Sequence, residues 1–175
     1  MSAINWFLRW WLRGKRYKWS RFRRRFFERK YLDTTLPVVS SLEDIESCLG
    51  QVTWTKDGLL HLYDSISYPQ VTWAKKKDDC DGFAILAAEL LRRLDSKTNP
   101  VLITALGRPV KYSHTVCAFT SPHNTLWYYD CQFLRRGEWQ AYSDVVSEAN
   151  QRIQRLVCWD VVNPMTLDTI EFHRV

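Results

Sequence analysis

The chain has 175 residues, enough for one full domain with an appendage, and a composition 46% hydrophobic and 14% aromatic excludes global disorder. Its net charge of +6 is unevenly spread: residues 1–30 hold eleven Lys/Arg and a single Glu, and the remainder is mildly acidic. No run of about 18 apolar residues is free of charge, so no spanning helix is expected, and the start "MSAINWFLRWWLRGKRYKW" lacks the pattern of a secretory signal.

Residues 1–33 read as a basic, aromatic-rich helical arm, and residues 34–175 as the main body. On a helical wheel Trp6, Phe7, Trp10 and Trp11 share one apolar sector, while Arg9, Arg13 and Arg16 form a narrow basic stripe. Gly14 is expected to break or bend the helix. Beyond it, Trp19, Phe22 and Phe26 repeat at helical spacing among Arg21, Arg23, Arg24 and Arg25. Two readings stay open. Either these arginines and rings contact nucleic acid or an anionic membrane, leaving the arm dispensable for chemistry elsewhere, or the rings dock the arm on the body and the arginines are solvated.

A connector, "TTLPVVSS", leads to a helix over 42–49, capped by Ser41 and ended by Gly50. Residues 51–73 are mixed, with a short helical pattern at "DGLLHLYDSI". The helix over 81–94 is apolar nearly all round, the mark of a buried element. Strands are then expected at 100–107, 114–120 and 125–131, with "SPHN" as the turn between the last two. A helix over 143–156 and a strand over 157–162 complete an α+β pattern with an antiparallel sheet.

Five widely spaced cysteines, Cys48, Cys80, Cys117, Cys131 and Cys158, form no CxxC pair. That pattern points to free thiols in a reducing compartment, the cytoplasm, rather than to a zinc ribbon or a disulfide framework. Cys80 stands out, because it opens the buried helix, where unpaired N–H groups and the helix dipole favour a thiolate. A nucleophile also needs an imidazole to take its proton and a third group to orient that imidazole. His114 begins one expected strand and Asp130 ends the next, so an antiparallel hairpin brings them to the same end. Asp78, Asp79 and Asp81 flank the thiol and oppose a low pKa; Lys75, Lys76 and Lys77 offset them, and one aspartate can cap the helix. His61, His123 and His173 have no such partner pattern. Cys117 and Cys131 are expected to point away from His114 and Asp130. No metal or cofactor is expected, since a set of Cys80, His114 and Cys131 lacks a fourth ligand.

The segments "DDCDGFAILAAELLRRL", "SHTVCAF" and "LWYYDCQ" resemble the transglutaminase-like, papain-related cysteine enzymes over roughly residues 52–135. The resemblance implies a papain-like core packed on the Cys80 helix, with Cys80 as nucleophile, His114 as base and Asp130 as orienting acid. It also implies an oxyanion donor at the Cys80 N–H, joined by an upstream side chain, Trp73 or Gln70. One departure is Gly82, where many members carry an acid; "DCDGF" is closer there to "DCSGF" of bacterial cell-wall amidases. The expected activity is acyl transfer on an amide of a protein, a peptide or a peptidoglycan-like substrate, by hydrolysis or by transamidation. The alternative is a non-catalytic binding module that uses the basic arm. The arm-plus-body layout suits a bacterial or phage protein.

Overall fold

The computed structural model describes residues 2–55 and 65–175. The expected helical stretch at "DGLLHLYDSI" and His61 therefore lie outside the described residues, except Ser65 and Ile66, which are not helical.

The arm is one continuous helical rod. Helix α1 (Ala3–Trp10) passes through a π-helical segment, Trp11–Lys15, into α2 (Arg16–Phe27). Gly14 sits inside the π segment, so the rod neither breaks nor stops there. Its buried side chains are Asn5, Leu8, Leu12, Arg16, Tyr17, Ser20 and Arg24, and from Leu8 a run of them, Leu8, Leu12, Arg16, Ser20 and Arg24, recurs every four residues. An α-helix turns once in about 3.6 residues, so a four-residue step drifts round the rod. The wider π turn slows that drift and keeps Leu8, Leu12 and Arg16 on one side.

That buried side inverts the expected docking. Leu8, Leu12 and Tyr17 enter the main apolar core, whereas Trp6, Trp10, Trp19, Phe22 and Phe26 face outward. Most of the arginines expected on a solvated or partner-facing stripe bond to protein atoms instead. Arg9 donates to the carbonyl oxygens of Val157 and Val175, Arg21 pairs with Asp168 and Arg23 with Glu28. Arg16 and Arg24 are buried outright. Arg24 donates to the carbonyls of Ile66 and Ser67, and burial lowers its pKa to about 10 against the pull of Glu28 and Tyr68. A guanidinium can be buried only where its fork meets acceptors, and the body supplies them. Arg13 and Arg25 remain exposed, over the rings of Phe172 and Phe26.

Helix α3 (Leu42–Leu49) begins where expected, with Ser41 Oγ accepting the Asp44 N–H at 3.1 Å. A short parallel pair, β1 (Thr53–Trp54) and β2 (Lys77–Asp78), brackets helix α4 (Pro69–Lys75). Helix α5 (Cys80–Leu94) follows at once. Six antiparallel strands come next: β3 (Val101–Arg108), β4 (His114–Thr120), β5 (Leu126–Asp130), β6 (Phe133–Trp139), β7 (Arg155–Val162) and β8 (Thr169–Arg174). Their order across the sheet is β6-β5-β4-β3-β7-β8. Helix α6 (Tyr142–Ala149) lies between β6 and β7 in sequence. It is shorter than the expected 143–156, because the chain is already extended again at Arg155.

Strand alternation divides the core in two. Leu102, Cys117, Phe119 and Tyr129 pack on the face covered by α5 and the arm. Val101, Ile103, Val116 and Ala118 pack on the other face, beneath Val145 and Val146 of α6. The fold is α+β, an antiparallel sheet on a buried helix that opens with Cys80, with the N-terminal helix laid against the same core.

Candidate active site

The site forms where α5 begins and the β4–β5 hairpin ends. The turn after β4 is held by Ser121, whose Oγ accepts the N–H groups of His123 and Thr125 at 3.2 and 3.3 Å. With that turn fixed, Cys117 pairs with Tyr129 in register, and His114 and Asp130 reach the same end of the hairpin. His114 Nε2 and Asp130 Oδ1 are 2.7 Å apart. Burial pushes the Asp130 carboxyl up, but the hydrogen bond and charge of His114, aided by Arg135 and Arg152, outweigh it and hold the group below its usual range.

Cys80, His114 and Asp130 line one open cleft of about 960 Å³. Cys80 is half-buried at the first position of α5. The three carboxylates around it have separate tasks. Asp79 caps α5 by accepting the Asp81 N–H at 3.1 Å. Asp78 accepts from Thr72 Oγ1 at 2.6 Å and from the Asp79 N–H at 3.1 Å. Asp81 forms a buried ion pair with Arg16 of the arm. Part of the acidic charge near the thiol is thus matched by a cation from 65 residues upstream.

Gly82 has a structural reason here. A Cβ at this position would overlap the Asp78 carboxyl group, so only glycine lets Asp78 lie against the first turn of α5.

The lining of the cleft bears on two expectations. Trp73 and Gln70 are not among its lining residues. Both lie on α4, whose Val71 and Thr72 are the buried positions; Gln70 instead lines a smaller cavity with Tyr68 and Glu89. Among the described residues three indoles line the cleft, those of Trp11 in the arm, Trp54 of β1 and Trp139 of β6. Cys131 was expected to point away from Asp130, but it lines the cleft too. Alternation fails there because Cys131 occupies the tight β5–β6 turn with φ of 51°. Burial, then Asp130 and Asp79, push its thiol up to about 12.

Ligand atoms of His114, Asp130 and Cys131 lie within 4.8 Å of one another. Three mixed ligands could hold a cation, but His114 and Asp130 already satisfy each other through their hydrogen bond. Cys48, Cys117 and Cys158 are buried free thiols away from this cleft. The His123 ring is tilted against Trp127 at 6.4 Å, and His173 lies on the Trp159 ring with Nε2 2.9 Å from Glu171. The sequence held a local signal for Cys131, a two-residue step between strands. It held none for Arg16, whose partner is fixed only by tertiary packing.

No protein-family model matches the chain, and no curated protein matches it. Among solved structures it is similar to Legionella pneumophila LapG, with a TM-score of 0.47 and 18% identity over 72% of this chain and 66% of LapG. A structure of EGTA-treated Legionella pneumophila LapG gives a TM-score of 0.47 and 17% identity over 69% and 63%. The chain spans less than two thirds of the length of those chains, and the relationship is a distant structural one.

Proposed function

We propose that the protein is a cysteine-dependent acyl-transfer enzyme acting on an amide bond. The observation that carries this reading is the His114–Asp130 hydrogen bond at 2.7 Å, set in an open cleft that is also lined by the cysteine opening α5. In this reading Asp130 holds Nε2 of His114, and Nδ1 takes the proton of the Cys80 thiol. The thiolate attacks the amide carbonyl carbon. The developing oxyanion is held by the Cys80 N–H and the first turn of α5. The C–N bond then breaks, the imidazolium gives its proton to the leaving amine, and a thioester remains on Sγ. Water or an amine attacks that thioester, His114 takes the proton of the attacker, and the thiol is restored.

The test is selective alkylation. At pH 6 to 7, iodoacetamide is expected to label Cys80 before the four other cysteines, which burial or a raised pKa leaves slow. His114→Ala should remove that selectivity. Alkylation of Cys80 no faster than of Cys131 or Cys48 would overturn the proposal and favour a binding module on this scaffold. With an amide substrate in hand, Cys80→Ala should abolish turnover. Asp130→Asn should lower kcat by roughly two to four orders of magnitude through the wrong imidazole tautomer.

A further inference from the structure

We propose that the outward face of the N-terminal helix is an interfacial membrane-binding surface, lying in the plane of a bilayer rich in anionic lipid. Large apolar side chains seldom gather on an exposed helix face. Here Trp6, Trp10, Trp19, Phe22, Phe26 and Phe27 do so, each between 41% and 62% exposed. Packing against the body does not explain them, since the helix docks through its opposite side. The rings form two contiguous groups. Trp6 stacks on Trp10 at 6.2 Å, and Phe22 contacts Trp19, Phe26 and Phe27 at 5.6, 4.7 and 6.0 Å. Over 22 residues such a row runs about 30 Å along the helix axis.

The charge around the rings selects the partner. Arg13, Lys15, Lys18, Arg25, Arg29 and Lys30 are exposed, and the only acid in residues 1–30, Glu28, is buried. Lys15 lies over the Trp10 ring and Arg25 over the Phe26 ring, so the cations sit at the level of the rings. Tryptophan and phenylalanine at headgroup depth, with lysine and arginine reaching phosphates, is the chemistry of a helix lying on an anionic bilayer. Nucleic acid fits less well. Arg9, Arg16, Arg21, Arg23 and Arg24, the guanidinium groups that would grip phosphates, bond to protein atoms instead. The outward rings also contact one another, on the convex face of a rod rather than in a groove that threads a strand.

The experiment is flotation of the full-length protein with vesicles of phosphatidylcholine alone or mixed with phosphatidylglycerol. Flotation with the mixed vesicles only, a blue shift of tryptophan emission, and weakening between roughly 50 and 200 mM salt are expected. Phe22→Ser/Phe26→Ser should retain the wild-type melting temperature, since both rings are exposed, and bind the mixed vesicles at least about tenfold more weakly. Trp10→Ser, in the other group of rings, is the second variant and should weaken binding in the same direction. The proposal is overturned if the wild type fails to float at low salt, if both variants float as well as it does, or if phosphatidylcholine alone suffices. A mobility shift with single-stranded nucleic acid in place of flotation would assign the face to nucleic acid. A dimer in light scattering that the double variant dissociates would assign it to a second copy.

Discussion

Arg16 lies at the centre of the site's electrostatics although it belongs to the arm. It reaches Thr104 Oγ1 at 2.9 Å and pairs with Asp81, the neighbour of Cys80. Truncating it would leave the buried Asp81 carboxylate, next in the chain to Cys80, without the Arg16 guanidinium. Arg16→Ala is therefore expected to destabilise the protein by about 3 to 5 kcal/mol, read by chemical denaturation. It should also slow alkylation of Cys80, because the uncompensated negative charge raises the thiol pKa. Gly82→Ala makes a complementary prediction. The new Cβ overlaps the Asp78 carboxyl and must break its bond to Thr72, at a cost of about 1 to 3 kcal/mol. A glycine that merely ended a turn would tolerate alanine far better, so an unchanged melting temperature would refute this account.

At the scale of elements, the sequence was most readable where one periodicity dominated. The all-round apolar pattern of α5, the Ser41 cap and the strand over 114–120 agree with the structure to within a residue or two. The His114–Asp130 pairing followed from a hairpin whose turn chemistry is local. Strand β6 escaped notice because it is an edge strand, and "FLRRGEW" carries charge on exposed positions where a central strand would carry apolar residues. Helix α4 escaped because seven residues are too few for a helical period to stand out. The arm misled for another reason. A hydrophobic wheel ranks tryptophan above arginine for burial, but it does not know which acceptors the body offers. Those acceptors, the carbonyls of Val157, Ile66 and Ser67 among them, come from elsewhere in the chain. Which indoles line the cleft is set by the path of each segment relative to it, so Trp11, Trp54 and Trp139 line it and Trp73 does not.

At the scale of the molecule, a buried polar layer joins arm and sheet. Tyr17 donates to Asp160 Oδ2 at 2.7 Å, next to Arg16 and Asp81. Burial raises Asp160 to about 7, overcoming the Tyr17 hydrogen bond and the Arg16 charge that pull it down, with Asp81 adding to the rise. An acid whose folded pKa exceeds its unfolded value of about 4 contributes stability that is complete below pH 4. That contribution is lost as pH rises to about 7, where Asp160 ionises in the folded state. The loss is at most about 4 kcal/mol. Asp160→Asn can still accept from Tyr17 and is expected to flatten the fall in melting temperature between pH 4 and 7. A pH profile parallel to the wild type would exclude Asp160 as its source. The same layer makes the arm part of the fold. Deleting residues 2–27 removes Leu8, Leu12 and Tyr17 from the core along with Arg16. Each buried apolar side chain contributes on the order of 2 kcal/mol, so the truncated chain should lose its cooperative thermal transition. A truncated chain with an intact melting temperature would show that the body folds alone.

The arm's partners also set an order of events during synthesis. Tyr17 waits for Asp160, Arg9 for Val157 and Arg21 for Asp168, spans of 143, 148 and 147 residues. The N-terminal helix therefore leaves the ribosome with cations that stay unmatched until β7 and the turn after it have emerged. Loop closure over such separations is slow. Until it happens, Arg16 is not held in place beside Asp81. The thiol would mature late, after β7 has been translated, and a nascent chain stalled before residue 155 should carry Cys80 in an unreactive form.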